Sequence, residues 1–292
     1  MDLGTIVLLI LAGLTRASVL FVVAAGLTLV FGVLRVINLA HGSLYMIGAF
    51  LATMFVVQAS PFPTFWLAVP LVPIIVGAVG LVVEWGVLRR IYRKAHELQL
   101  LGTFALILVF ADLTKIVWGR QYRSISLPEP FSGAVNIAGQ PFPAYNLFVI
   151  VWAPLLALAL WYTVEKTSLG RMIRAAVSDP EMLEILGINI PRVFTIVFVI
   201  GAGLAGLAGV LVAPLGSVGL GMDVEVLIEA FIVAVIGGLG SFPGALLGAG
   251  IIGLMHSFGI NISSRLGIAL PFVAMVIVLV LRPWGLFGQP ER

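Results

Sequence analysis

Cysteine is absent from the 292 residues, and charge is scarce: 16 Lys and Arg, 13 Asp and Glu and three His. Without cysteine there are no disulfides, thiolate zinc sites or thiol nucleophiles. His41, His96 and His256 lie too far apart in sequence for a local ligand pair, and no His-Glu-x-x-His motif occurs. No metal site and no enzymatic chemistry are therefore expected of this chain. Lys94, Lys115 and Lys166 follow Arg93, Thr114 and Glu165, so none completes the Gly-Lys-Ser/Thr end of a phosphate-binding loop. The basic excess, a net +3, sits in short gaps rather than on one soluble face, which argues against nucleic acid as a partner. Charged residues make up 10% of the chain, against roughly 25% in a soluble domain. So little charge cannot cover a water-facing surface. The chain belongs in a lipid membrane.

What is present is apolar: 61% of residues, gathered in runs. A transmembrane helix needs about 20 such residues. Cutting the runs at charged or Pro/Gly-rich breaks gives spans 3–34, 44–57, 65–88, 98–118, 145–164, 193–212, the pair 226–236 and 245–258, and 267–281. The first, interrupted by Arg16, is either one long helix or a short helix plus a span. The start, with Asp2 and no cationic cluster, lacks the positive region of a secretory signal and reads as a retained span. The expected fold is all-α and polytopic, with about eight or nine transmembrane helices in one domain over residues 1–292. Lys and Arg concentrate in cytoplasmic loops. Gaps 89–97 and 165–192 hold four each of the 16, so both are placed inside, and the Pro/Gly-rich stretch 119–144 falls outside. Eleven of the 16 positive residues then lie inside, four outside (Arg16, Arg120, Arg123, Arg265), and Lys115 within a span. The N-terminus is expected outside, the C-terminus inside, and the number of crossings odd.

Residues 31–51 and 232–252 each pair an apolar run, a turn ending in Gly-Ser (Gly42-Ser43, Gly240-Ser241) and a small-residue helix with Gly-Ala. This suggests a parallel internal repeat of the kind whose interface forms sites in transporters; chance recurrence in a Gly-rich chain gives the same pattern. Asn38, His41, Ser43 and Ser241 are candidates for a gate on the translocation path, or else cap helix ends. Gly201-x-Gly203-x-x-Gly206 matches a dinucleotide fingerprint, but no charge occurs between Arg192 and Asp223. Gly201, Ala205 and Gly209 instead form a small-residue stripe for close helix packing in lipid. Asp112 and Lys115 can pair on one helix face. Glu84 reads as marking the inner membrane boundary. Asp223, Glu225 and Glu229 read as an outer acidic edge, either solvated or docking a basic partner.

The inside insert 165–192 mixes Arg171, Arg174, Asp179 and Glu181 with Met182, Ile185, Leu186, Gly187 and Ile188. A short helix is expected from about Pro180, capped by Asp179, ending near Gly187. Its apolar side needs a partner, whether lipid headgroups or protein. The insert and the span after it, GRMIRAAVSDPEMLEILGINIPRVFTIVFVIGAGLAGLAGVL, resemble the cytoplasmic loop of LivH-type permeases, the branched-chain amino acid class of bacterial ABC importers. AAGLTLVFGVLRVINLAHGSLYMIGAF, EAFIVAVIGGLGSFPGALLGA and LPFVAMVIVLVLRPWGLFG agree, so the resemblance runs across almost the whole chain. Leu183 and Glu184 depart from it, standing where small residues are expected.

The resemblance implies a permease subunit of the bacterial inner membrane, translocating branched-chain amino acids or a related small solute. Implied partners are a second, LivM-type permease as heterodimer, two cytoplasmic ATPase subunits holding ATP and Mg, and a periplasmic substrate-binding protein. The insert, with Arg171, Arg174, Asp179, Glu181, Met182, Ile185, Leu186, Gly187 and Ile188, is then the coupling segment that docks on the ATPase. The alternative class is an ion- or proton-coupled transporter or channel, which needs buried carboxylates. Asp112 and Glu229 are the only candidates within spans that this reading offers.

Overall fold

Apolar backbone in lipid must satisfy its own hydrogen bonds, and helices do so within one segment. In the computed structural model, which describes residues 2–58, 64–92, 94–178 and 180–288, the chain is mostly helical, and one small hairpin is the only sheet among the described residues. The elements are α1 (Leu3–Leu34), α2 (His41–Gln58) and α3 (Thr64–Val83), which runs through a π turn (Glu84–Leu88) into α4 (Arg89–Ile91). Next come α5 (His96–Trp118), strands β1 (Ala134–Ile137) and β2 (Gln140–Pro143), α6 (Ala144–Lys166), α7 (Ser168–Ser178) and α8 (Pro180–Ile185). α9 (Ile190–Val212), α10 (Met222–Gly237), α11 (Phe242–Ile262) and α12 (Ser264–Leu281) complete the fold. Seven helices among the described residues are long and apolar enough to cross a membrane. α2 is a shorter apolar helix, and α10 is shorter still and carries three carboxylates. The seven spans with α2 fall within the eight or nine expected.

α1 is one continuous helix despite Arg16. Its 32 residues span about 48 Å at 1.5 Å per residue, longer than the roughly 30 Å hydrocarbon core, so it must tilt or project. It is also the centre of the protein: Phe21 through Ala25 are buried, enclosed by α6, α9, α10 and α11. Close packing there depends on missing side chains. A Cβ added at Gly201 would lie 2.5 Å from Val30 Cγ2, and one at Gly48 would lie 2.6 Å from the Gly206 carbonyl oxygen. α9 thus meets α1 and α2 backbone to backbone, as small residues permit in lipid. The peripheral α5, α6 and α12 turn Ile116, Leu158 and Val280 outward.

The two proposed repeat turns differ. Gly240-Ser241 is a tight turn: Gly238 and Gly240 both take positive φ, and Ser241 caps α11 by accepting from the Gly244 N–H at 3.1 Å. Gly42-Ser43, expected as a turn, is instead the first turn of α2. The chain leaves α1 at Arg35, in the left-handed region at φ 53°, and residues 36–38 return alongside α1. His41 arrives next to Val23, about three turns before α1 ends. α2 therefore begins within the apolar layer rather than at its edge. The Pro/Gly-rich 119–144 stretch contains the antiparallel β1–β2 hairpin. Ala138 and Gly139 both have positive φ there, which suits a two-residue turn.

Candidate functional site

Two short helices start against each other in the interior. Gly42 lies so close to Asp223 that a Cβ would strike its carbonyl oxygen, and Ser43 Oγ donates to Asp223 Oδ2 at 3.2 Å. Helix N-termini carry partial positive charge, and these two face one buried carboxylate; Asp223 is 4% exposed. Asn38, His41 and Ser43 are equally enclosed. His41 Nε2 lies 3.1 Å from the Val23 carbonyl, and Asn38 Oδ1 accepts from the Ala40 N–H at 3.2 Å. Asn38 Nδ2 and His41 Nδ1 have no hydrogen-bond partner. Such broken-helix junctions at mid-depth form sites in transporters. Ser241 is not part of this cluster; its turn packs Gly240 against Gly32 near the end of α1. Asp223, placed on an outer acidic edge by the sequence reading, belongs to the interior instead. A carboxylate in the first turn of a helix that starts inside the membrane is held by helix dipole and hydroxyl, not by water.

Beside this junction opens a cavity of about 590 Å³ on the side of the β1–β2 hairpin. Its lining includes Tyr45, Thr15, Asn146 and the pair Arg16 and Glu229, joined by a hydrogen-bonded salt bridge between Arg16 Nη2 and Glu229 Oε1. Glu229 is thus a half-buried ion-pair partner at the cavity wall, not an edge residue in open solvent. Glu225, one turn earlier, is exposed at the cavity. Asp112 and Lys115 pair at 2.7 Å on the outer surface of α5.

At the opposite end, α7 and α8 lie outside the long helices. Ile185 is 81% and Leu186 68% exposed, with exposed Met182 beside them. Leu183 turns inward and Ile188 packs partly against the core. Gly187 ends the segment with φ 80°, its N–H bonded to the Glu184 carbonyl at 3.0 Å. Arg171 is exposed, whereas Arg174 folds back to donate to the Val164 carbonyl and pair with Glu165 at 3.7 Å. Asp179 and the side chain of Glu181, like Arg93 and Arg292, lie outside the described residues. Gly201, Ala205 and Gly209 are buried on α9; Gly201 faces α1, and Gly209 meets Tyr45 and Ala49 of α2. The dinucleotide-like glycines thus sit inside one uninterrupted helix.

Glu84, read from sequence as a boundary marker, is wholly enclosed. Thr195 Oγ1 donates to its Oε2 at 2.8 Å, Tyr92 Oη donates to Oε1 at 3.4 Å, and Arg89 Nε lies 3.8 Å away. Burial, with the neighbouring Glu84 carboxylate, raises the Tyr92 phenol above its ordinary range, so it stays a donor. The π turn that carries Glu84 is a known marker of functional sites in helices.

The model of the family described as "Branched-chain amino acid transport system / permease component" matches residues 9–281. The chain belongs to this family. It is 30% identical to the high-affinity branched-chain amino acid transport system permease protein LivH of Escherichia coli over 297 residues, covering 96% of this chain and 94% of that protein. It is 30% identical over 290 residues to the corresponding permease protein BraD of Pseudomonas aeruginosa, with the same coverage. It is also similar to the ribose import permease protein RbsC of Haemophilus influenzae, at 26% identity over 84% of this chain and 75% of that one. No solved structure matches. In this permease family member, the features missed from sequence are the Arg16–Glu229 pair and the depths of Asp223 and Glu84. The interrupting charge of Arg16 in the longest apolar run was the one available signal, since a charge at that depth needs a partner.

Proposed function

We propose that the chain is the membrane-spanning permease subunit of an ATP-driven importer in a bacterial inner membrane, translocating branched-chain amino acids or a related small solute. Its N-terminus and β1–β2 hairpin face the periplasm, where a substrate-binding protein delivers the solute into the cavity at Arg16 and Glu229. A second, LivM-type permease completes the pathway as heterodimer, and two cytoplasmic ATPase subunits supply ATP hydrolysis. The chain itself performs no covalent step. The observation that carries this reading is the exposed apolar side of α8, where Ile185 and Leu186 project beyond the long helices into what would otherwise be water. Exposed apolar patches of this kind mark protein contacts, and docking on the ATPase covers this one.

Leu186→Asp in the assembled transporter is expected to abolish substrate-stimulated ATP hydrolysis while leaving permease folding and membrane insertion intact. Unchanged stimulation would reject the coupling role. The buried carboxylate Asp223 and the half-buried Glu229 favour one rival, ion- or proton-coupled transport. Uptake that persists without ATP but collapses with the proton gradient would select that rival.

A further inference from the structure

We propose that Arg16 and Glu229 are the recognition pair for the two charged ends of a zwitterionic α-amino acid. This rests on reading the chain as a solute permease, and deepens it by assigning the residues and the substrate class. Three observations lead there. The pair joins α1 to α10 within the helical bundle, where an ion pair contributes little to stability after desolvation, so stability alone does not account for it. Yet the side chains remain 33% and 18% exposed, and both line the cavity of about 590 Å³. The pair is also under-satisfied: Arg16 Nε is buried without a partner, and a guanidinium offers five donors in a fork that matches a carboxylate.

The rest of the lining fits the same ligand. Glu225, one turn from Glu229, adds a second carboxylate for an ammonium group, and Ala12, Val19, Leu20 and Val226 provide an apolar wall. Charged handles beside an apolar surface describe a small amphiphile carrying both signs. A zwitterion inserting between Arg16 and Glu229 exchanges one ion pair for two and brings no net charge into the membrane. An uncharged sugar or amide cannot replace either partner, and a monovalent ion replaces one only.

The test uses the lack of native cysteine. Ser217, exposed at the cavity, is changed to cysteine in the full-length chain. Its reaction with the uncharged reagent methyl methanethiosulfonate is timed in membrane vesicles. L-Leucine is expected to slow labelling about threefold at about twice its dissociation constant. Isopentylamine, which lacks the carboxylate, and 4-methylpentanoate, which lacks the ammonium, are expected to leave the rate unchanged at the same concentration. Adding Arg16→Gln or Glu229→Gln should remove the leucine effect, and an unaltered unliganded labelling rate would show that the cavity is preserved. Equal protection by all three compounds, or by none, overturns the proposal. Leucine protection that persists in a Gln variant overturns the assignment to that residue, and Arg16→Lys or Glu229→Asp takes the place of a Gln variant that fails to fold. Uptake that persists without ATP would overturn the ATP-driven reading instead, and this assay does not depend on it.

Discussion

Removing the Glu84 carboxylate would leave the Tyr92 hydroxyl without its acceptor and Arg89 without its buried counter-charge; Thr195 Oγ1 would keep only the Pro191 carbonyl at 2.9 Å. An orphaned buried polar group costs about 1–3 kcal/mol. Glu84→Ala is therefore expected to lower stability by about that much in thermal denaturation of the detergent-solubilised protein. Thr195→Val, which removes one donor and leaves the carboxylate its other contacts, should cost about 0.5–1.5 kcal/mol. Equal losses for the two would show that Glu84 acts through Thr195 alone. Neither contact was legible in the sequence. A carboxylate shortly before Arg89 looks like a boundary, and its real partner Thr195 is 111 residues away. Asp223 is the same case, since its donor Ser43 lies 180 residues away. Charge identity can be read from one sequence, but burial comes from which helices meet.

Helix packing was more legible, because small residues at helical spacing leave a pattern in the chain itself. The spacing of Gly201, Ala205 and Gly209 suggests a packing stripe; a Cβ at Gly201 would strike α1 and one at Gly209 would strike α2, while Gly206, off that stripe, meets Gly48. Gly48→Val is expected to force α2 off α9, because its added carbon would lie 2.6 Å from a backbone oxygen that cannot yield. Lower folded yield and a monomer that aggregates in size-exclusion chromatography are the expected outcomes. Gly250→Leu, where nothing lies within 4 Å of an added Cβ, should behave as wild type and serves as the control. What the pattern could not reveal is depth. α2 and α10 are apolar like their neighbours, and their starts inside the protein depend on the extended return of residues 36–38 and on the junction between Gly42 and Asp223. The Gly-Ser sequences of the suggested repeat look alike, yet one begins a helix and the other turns a corner.

The arrangement of the whole chain about the membrane rests on charge, and it can be tested without assuming any activity. The β1–β2 hairpin and the α8 segment are separated by one long helix, α6, so they must lie on opposite sides if α6 crosses. The Lys and Arg residues of 165–192 predict a cytoplasmic side for α8, the orientation proposed above. Val135 on the hairpin is 44% exposed and Leu186 is 68% exposed. Single cysteines at these two positions stand alone in a chain with no other thiol. With a membrane-impermeant maleimide, Val135→Cys is expected to label in intact spheroplasts and Leu186→Cys only after permeabilisation. The reverse pattern would invert the orientation but keep the crossing. Labelling of both from the outside would mean that α6 does not cross, and would remove the physical basis for placing Ile185 and Leu186 where an ATPase could reach them.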